Sequence, residues 1–235
     1  MVGGLGRMGK LVIDAVNAHR EMTVYSVLSD QVGVPISDFI VTEDPEKALA
    51  NAEVVIDFSA PSACGATLPM CVEKRVPYIL ASTGLSAAEQ GIVDSASASI
   101  AMIQTSNCSL GVTVLMELVE LASKRLADFD AEIFEIHHKH KRDAPSGTAR
   151  SLGEAVEAGR GKLKEVSGRS GITEPRASDE LGYAALRGGD VSGDHTVFFF
   201  GDNERIELTH RATSATIFAS GAVRAARRLL AETYV

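Results

Sequence analysis

Apolar residues recur along the first half of the chain in two alternating rhythms. Met8, Leu11, Val12, Ala15 and Val16 fall at helical spacing and give one amphipathic helix. Compact apolar runs then predict strands at Thr23–Leu28, Val54–Phe58, Pro77–Ala81 and Ile100–Gln104, with helices at Ser62–Glu73 and Ser86–Ser97 between them. Strands alternating with helices in this way predict an α/β unit built on a doubly wound parallel sheet. From Val112 the rhythm changes. A helix at Val112–Leu126, a strand at Asp130–His140 and a helix at Ser146–Ala158 lead into residues 159–182, rich in Gly, Ser, Arg and Glu and expected to be a long mobile loop. Strands follow at Tyr183–Arg187, His195–Phe200 and Glu204–Arg211, the last two joined by a hairpin-type turn at Gly201-Asp202-Asn203. This is the pattern of a separate α+β unit with a mixed or antiparallel sheet. Phe198-Phe199-Phe200 is apolar on both strand faces and predicts burial against helices or another subunit. The last helical pattern, Ala222, Val223, Ala226, Leu229 and Leu230, is free to return to the first domain.

Composition narrows this only moderately. The 235 residues are 45% hydrophobic and 23% charged, ordinary for a globular chain of one or two domains. A net charge of −8 argues against general nucleic-acid binding. Cys64, Cys71 and Cys108 are odd in number and form no CxxC, which fits unpaired thiols acting as small core residues in a reducing compartment. No apolar run approaches the roughly 18 residues of a membrane span, so a cytoplasmic protein without a membrane partner is expected.

The candidate chemistry begins at the N-terminus. Gly3-Gly4-Leu5-Gly6-Arg7-Met8-Gly9 reads as GxGxxG from Gly4 or GxxGxxG from Gly3, and either form gives a tight turn and a bare backbone beside a pyrophosphate. Arg7 at the helix mouth is a candidate phosphate ligand. Asp30 lies 21 residues after Gly9, near the interval of about 20 at which a dinucleotide fold places an acid on the adenosine ribose. A parallel strand should precede the glycines, where only Met1 and Val2 stand. The strand ends carry small polar segments, Asp57–Pro61, Ser82-Thr83-Gly84 and Ser106–Ser109, suited to a cofactor along the sheet edge or to ordinary turns.

The most unusual stretch is His137-His138-Lys139-His140-Lys141-Arg142, six adjacent side chains able to carry positive charge in an acidic protein, running into Asp143-Ala144-Pro145-Ser146-Gly147-Thr148. Adjacent cations repel, so the run suits a bound anion, a solvated basic face or a histidine metal site. The segment from Asp143 onward reads as a helix start, with Pro145 in the first turn, Ser146 as cap, and the N–H groups of Gly147 and Thr148 at the positive end of the dipole. That signal favours a pocket for a small anion and no metal. His195 and His210, on strands, read as core or interface residues rather than catalytic ones.

The segment from Glu135 to Ala149 resembles the signature E-x-H-H-x-x-K-x-D-A-P-S-G-T-A of the dihydrodipicolinate (4-hydroxy-tetrahydrodipicolinate) reductase family. Gly3–Gly9, Asp57-Phe58-Ser59, Ser82-Thr83-Gly84, Asn107–Gly111, Arg187–Asp190, Gly193–Thr196 and Phe218–Ala222 fall in the family's order. The resemblance implies a Rossmann-like cofactor domain, residues 1–109 with 218–235, and a substrate-binding and tetramerisation domain, residues 110–217, of a homotetramer. It implies reduction of a cyclic dicarboxylate by NADH or NADPH in the diaminopimelate route to lysine. His137 and Lys141 would be the acid–base pair, and His138, Gly147 and Thr148 would hold the carboxylates. Gly3, Gly4, Leu5, Gly6, Arg7 and Met8 would bind the pyrophosphate, Ala81, Ser82 and Thr83 the nicotinamide region, and Thr105, Ser106, Asn107 and Cys108 the neighbouring strand end. The chain departs from the family at Ala81, often Gly, at Cys108, often larger, and at Ser29-Asp30, where an Arg for a 2′-phosphate is common. It also has less than the usual first strand and no usual C-terminal extension. A carboxylate at Asp30 repels a 2′-phosphate, so NADH is the expected preference. Two rivals share parts of this pattern: another two-domain nicotinamide enzyme, such as an amino-acid dehydrogenase, and a non-enzymatic dinucleotide or anion sensor.

Overall fold

The computed structural model describes residues 3–31 and 38–233. Met1 and Val2, the position of the strand expected before the glycines, lie outside the described residues. The chain forms two compact units, Met1–Ser109 with Ala215–Val235, and Leu110–Ser214.

The first unit begins with α1 (Arg7–Asn17) and continues through β1 (Ser26–Leu28), β2 (Ile40–Thr42), α2 (Pro45–Leu49), β3 (Val55–Asp57), α3 (Cys64–Lys74), β4 (Tyr78–Leu80), α4 (Ala87–Ser97) and β5 (Met102–Gln104). All strand pairs are parallel: β1 with β2, and β3–β4–β5 in that order. Alternate strand residues face opposite layers. Val55, Tyr78 and Leu80 pack with Leu49, Leu68, Cys71 and Val93 from α2, α3 and α4 on one side. Two of these helices start where side-chain chemistry dictates. Asp44 accepts from Glu46 N–H ahead of Pro45, and Ser86 and Glu89 form a reciprocal capping box.

The second unit holds α5 (Leu110–Arg125), β6 (Asp130–His137), α6 (Gly147–Arg160), β7 (Lys164–Ser167), β8 (Glu180–Arg187), β9 (Asp194–Gly201) and β10 (Glu204–Arg211). Its five strands run in the order β10-β9-β6-β8-β7, with β6 antiparallel to β9 and parallel to β8. The two helices cover one face. Ala131, Ile133, Leu181, Tyr183, Val197 and Phe199 meet Leu115, Val119, Leu152 and Val156 there. Glycine makes the helix pair close: a Cβ at Gly159 would stand 2.6 Å from the Glu120 carbonyl oxygen. On the other sheet face Phe198 and Phe200 stack at 5.5 Å, and Phe200 is 39% exposed.

The chain then closes the first unit with α7 (Thr216–Thr233). Ala219, Ala222, Val223, Ala226 and Leu229 join Val12 and Val16 of α1 against Val27, Ile56 and Ile79. Helices therefore flank both faces of the parallel strands, the α/β class the alternation predicts.

Three expectations need correction. Residues 159–182 are not a long mobile loop, because α6 runs to Arg160, β7 pairs with β8, and Arg176 ties the rest down. Its guanidinium reaches Asp130 at 2.5 Å, Glu132 at 3.0 Å and the Glu180 carbonyl at 2.6 Å. β6 stops at His137 rather than His140, since Lys141 N–H turns back to the His138 carbonyl at 3.1 Å. Pro145 precedes the cap instead of sitting in the first turn, so α6 starts at Gly147. β2 and α2 went unread, although Asp44-Pro45 carries a helix-start signal.

Candidate active site

The glycine loop of the first unit is shaped by packing as much as by a ligand. Gly3 has φ +67°, its N–H donates to the Leu28 carbonyl at 3.0 Å, and a Cβ there would meet Ser59 at 2.9 Å. A Cβ at Gly4 would strike Val27, and one at Gly9 would lie 2.4 Å from Gly4, so the loop lies directly on β1 and α1. Gly6 caps α1 with an extended backbone. Leu5 turns its side chain into the core, leaving only backbone to a ligand, whereas Arg7 is exposed and Met8 half-buried. Beside the loop opens a cavity of about 590 Å³ lined by Gly3, Gly6, Leu28, Asp30, Glu43 and Ser59 among others. Asp30 and Glu43 both line it, the second of them unread from sequence.

The strand ends are built by hydrogen bonds. Buried Asp57 accepts from Ser59 N–H at 2.7 Å, Ser59 Oγ at 2.5 Å and Tyr78 Oη at 2.7 Å, and Ser82 Oγ donates to the Ser59 carbonyl at 2.7 Å. Ala81 N–H donates to the Asp57 carbonyl, and Thr83 is exposed beside it. Thr105 Oγ1 donates to the Asn107 carbonyl at 2.8 Å, and Asn107 Oδ1 accepts from Ser109 N–H, leaving Ser106 at the turn between them. Cys108 packs into the core with α7, and burial pushes its thiol up to about 11. Cys71, also buried, is pushed to about 12, so neither thiol is a nucleophile at neutral pH.

The second unit gathers the cationic signature at one end of its sheet. Alternation along β6 turns Glu135 and His137 onto the same buried face, at 1% and 8% exposure. Glu135 Oε2 lies 2.6 Å from His137 Nδ1, while Arg187, opposite His137 on β8, clamps both Glu135 oxygens at 2.7 and 2.8 Å. Burial works against the carboxylate, yet the hydrogen bonds from His137 and Arg187 win and hold its carboxyl at about 2. An ionised carboxylate only accepts, so Nδ1 of His137 carries the proton of that bond. Nε2 is thereby the free end of the ring, and it lies under Gly193, where a Cβ would stand 3.0 Å away.

Ser146 links this dyad to α6. Its N–H donates to Glu135 Oε1 at 3.1 Å, and its Oγ caps the helix by accepting from Ala149 N–H at 3.1 Å. The hydroxyl also meets His195 Nε2 at 2.9 Å. Since Oγ already accepts from Ala149, its proton is best used toward His195, whose ring stands edge-on to His137 at 5.0 Å. Burial and the neighbouring His137 push His195 down to about 3, so it is neutral. Gly147 and Thr148 form the first turn, where helix N–H groups point outward, with Thr148 itself buried. Lys141 pairs with Asp143 at 2.9 Å, and His138 Nδ1 accepts from His140 N–H at 3.2 Å. Lys139, His140 and Arg142 lie at the surface, so half of the run is solvated. Among the described residues no His, Cys, Asp and Glu cluster has an arrangement that could hold a metal ion.

The descriptions "Dihydrodipicolinate reductase, N-terminus" and "Dihydrodipicolinate reductase, C-terminus" belong to family models that match residues 1–108 and 111–234. The chain belongs to the dihydrodipicolinate reductase family. It is 42% identical over 229 residues to the 4-hydroxy-tetrahydrodipicolinate reductase of Sulfurimonas denitrificans (strain ATCC 33889 / DSM 1251), covering 95% of this chain and 90% of that protein. It is 40% identical over 244 residues to the enzyme of Burkholderia mallei (strain SAVP1), covering 97% and 91%. A dipicolinate-bound dihydrodipicolinate reductase from Paenisporosarcina sp. TG-14 shares the fold, with TM-score 0.78, 21% identity and 98% and 93% coverage. Dihydrodipicolinate reductases are NAD(P)H-dependent oxidoreductases of the diaminopimelate route to lysine, and the activity the signature implies stands with the family. A nicotinamide dinucleotide fits the first unit, which offers a bare glycine cradle, a helix start without acid in its first turn and an open cavity beside it.

Sequence reasoning on the reductase missed Glu135, Arg187, Gly193 and His195 as parts of one constellation. Glu135 stands inside the signature, and its spacing of two from His137 on a strand was the available signal. His195, set aside as a core histidine, is indeed buried, but against Ser146 and His137.

Proposed function

We propose that the chain reduces 4-hydroxy-tetrahydrodipicolinate, or its dehydrated form, to tetrahydrodipicolinate in the cytoplasm, with His137 and Lys141 as the acid–base pair. The observation that carries this is the engaged Nδ1 and open Nε2 of His137, on the strand that leads into Lys141 and the N-terminal turn of α6. The first unit takes the cofactor through Gly3–Met8, Ala81–Thr83 and Thr105–Cys108, and Asp30 with Glu43 disfavours a 2′-phosphate and supports NADH. When bound, the dihydronicotinamide supplies a hydride to the conjugated unsaturated system of the ring. His137 gives a proton from Nε2 to the enamine carbon that results, while its Nδ1–H stays hydrogen-bonded to Glu135. Lys141 stands by as the second proton carrier. A cyclic dicarboxylate suits this end of the sheet: Lys141 supplies positive charge, His138, whose Nδ1 accepts from His140, offers its Nε2–H, and Gly147 and Thr148 lie at a helix's positive end. The dicarboxylate bound in the Paenisporosarcina enzyme is of that class.

The open sheet face bearing Phe198 and Phe200 supports assembly of the second unit into a homotetramer. Among the described residues no helix is long and apolar enough to cross a membrane.

The test mixes purified protein, NADH and enzymatically generated substrate and follows loss of cofactor absorbance. Lys141→Ala is expected to lower turnover by a factor on the order of 10² with NADH affinity unchanged; an unaltered rate removes Lys141 from the mechanism. Tight NADH binding without turnover of the unmodified protein supports a sensor instead.

A further inference from the structure

We infer that Glu135 is a positioning residue for the reduction, aiming the His137 ring, and that Arg187 is the clamp that fixes Glu135. This rests on His137 being the proton donor proposed above. The bland alternative is a buried Glu–Arg pair that only holds β6 to β8. Three features argue for more than that. A two-pronged guanidinium already neutralises Glu135, yet the same Oε2 that receives one prong, at 2.7 Å, also accepts His137 Nδ1–H at 2.6 Å. The other oxygen accepts Arg187 Nη2 at 2.8 Å and Ser146 N–H at 3.1 Å, so the carboxylate has little freedom to turn. At the opposite end of the ring stands Gly193, with φ +152° and no side chain to cover Nε2. One ring nitrogen is therefore locked and the other left uncovered, as an acid that must point one way requires.

Arg187 reaches further. Its Nη2 also donates to the Asp143 carbonyl at 2.7 Å, in the turn whose Asp143 carboxylate pairs with Lys141. One guanidinium thus orders the strand that carries His137 and the turn that carries Lys141. A lysine at 187 keeps the charge but cannot fork to both carboxylate oxygens while holding a carbonyl.

The experiment is a double-mutant cycle on the full-length protein with Glu135→Gln and His137→Gln, alongside Arg187→Lys. Turnover, substrate KM, melting temperature and the NADH dissociation constant are measured for each. Glu135→Gln is isosteric and is expected to lower kcat by a factor on the order of 10 or more, with substrate KM and NADH binding nearly unchanged. On the His137→Gln background the same change is expected to lower kcat no further, because a residue that acts through His137 has nothing left to aim. Arg187→Lys is expected to lower kcat in the same direction while the protein still melts cooperatively. Multiplying effects in the double variant, or wild-type kcat in Glu135→Gln, overturn the inference and return Glu135 to a packing role. Wild-type turnover in His137→Gln alone instead overturns the donor assignment, a separate result.

Discussion

Lowering the pH provides a direct test of the buried polar cluster, because His195 is held neutral down to about 3, against an ordinary value of 6.5. The causes are burial first and the neighbouring His137 second, with His210 and Lys141 adding to them and Glu135 opposing. A histidine with a depressed folded-state value binds its proton only on unfolding. Its contribution is therefore complete above pH 6.5 and is lost as pH falls toward 3. Moving a pKa by one pH unit corresponds to about 1.4 kcal/mol, so the full loss is on the order of 5 kcal/mol, and about 2 kcal/mol has gone by pH 5. Glu135 lies well below its ordinary 4.5, at about 2, so it too loses its contribution in acid, but in a lower window. His210, also depressed, acts in the same direction as His195. Between pH 6.5 and 4.5 the histidines therefore dominate among these groups. A domain of this size responds to 2 kcal/mol with a change of melting temperature on the order of 10 °C. Thermal melts followed by circular dichroism at pH 7, 6, 5 and 4.5 are compared with those of His195→Gln, which removes the titrating ring. The variant is expected to melt lower at pH 7 but to lose less on acidification. Parallel slopes for the two proteins across this range refute the reasoning.

Two other outcomes rest on the same geometry. Gly193→Ala places a Cβ 3.0 Å from His137 Nε2 at a backbone φ of +152°, and is expected to cut kcat by a factor on the order of 10² while NADH affinity holds; steady-state rates and calorimetric titration with NADH check this. Asp30→Asn with Glu43→Gln removes both carboxylates from the cavity beside the glycine loop, and each change is expected to tighten 2′,5′-ADP relative to 5′-AMP by a factor on the order of 5; equal ratios in all variants would show that neither acid reads the 2′ position.

Much of the architecture was legible because it is written in neighbours. The helical spacing from Met8 to Val16, the apolar runs at Val54–Phe58 and Pro77–Ala81, the helix beginning at Ser86 and the cap at Ser146 each follow from a few adjacent residues, and each is found in place. Short or polar elements were not legible. β7 exposes three of its four residues, so no alternation marks it, and the segment after it is fixed by Arg176, whose partners lie 44 and 46 residues away.

The signature from Glu135 to Ala149 determined the family and the positions of His137, Lys141 and the α6 start, since those residues are contiguous and their chemistry is local. Which other residues meet them depended on strand register. Glu135 and Arg187 are 52 residues apart and Ser146 and His195 are 49 apart, and they come together because β6 lies between β8 and β9. Register is set by which faces are buried across the whole sheet, a condition no short window of sequence contains. The same physics separates the cationic run: the strand turns His137 inward, and the turn after it leaves Lys139, His140 and Arg142 toward water.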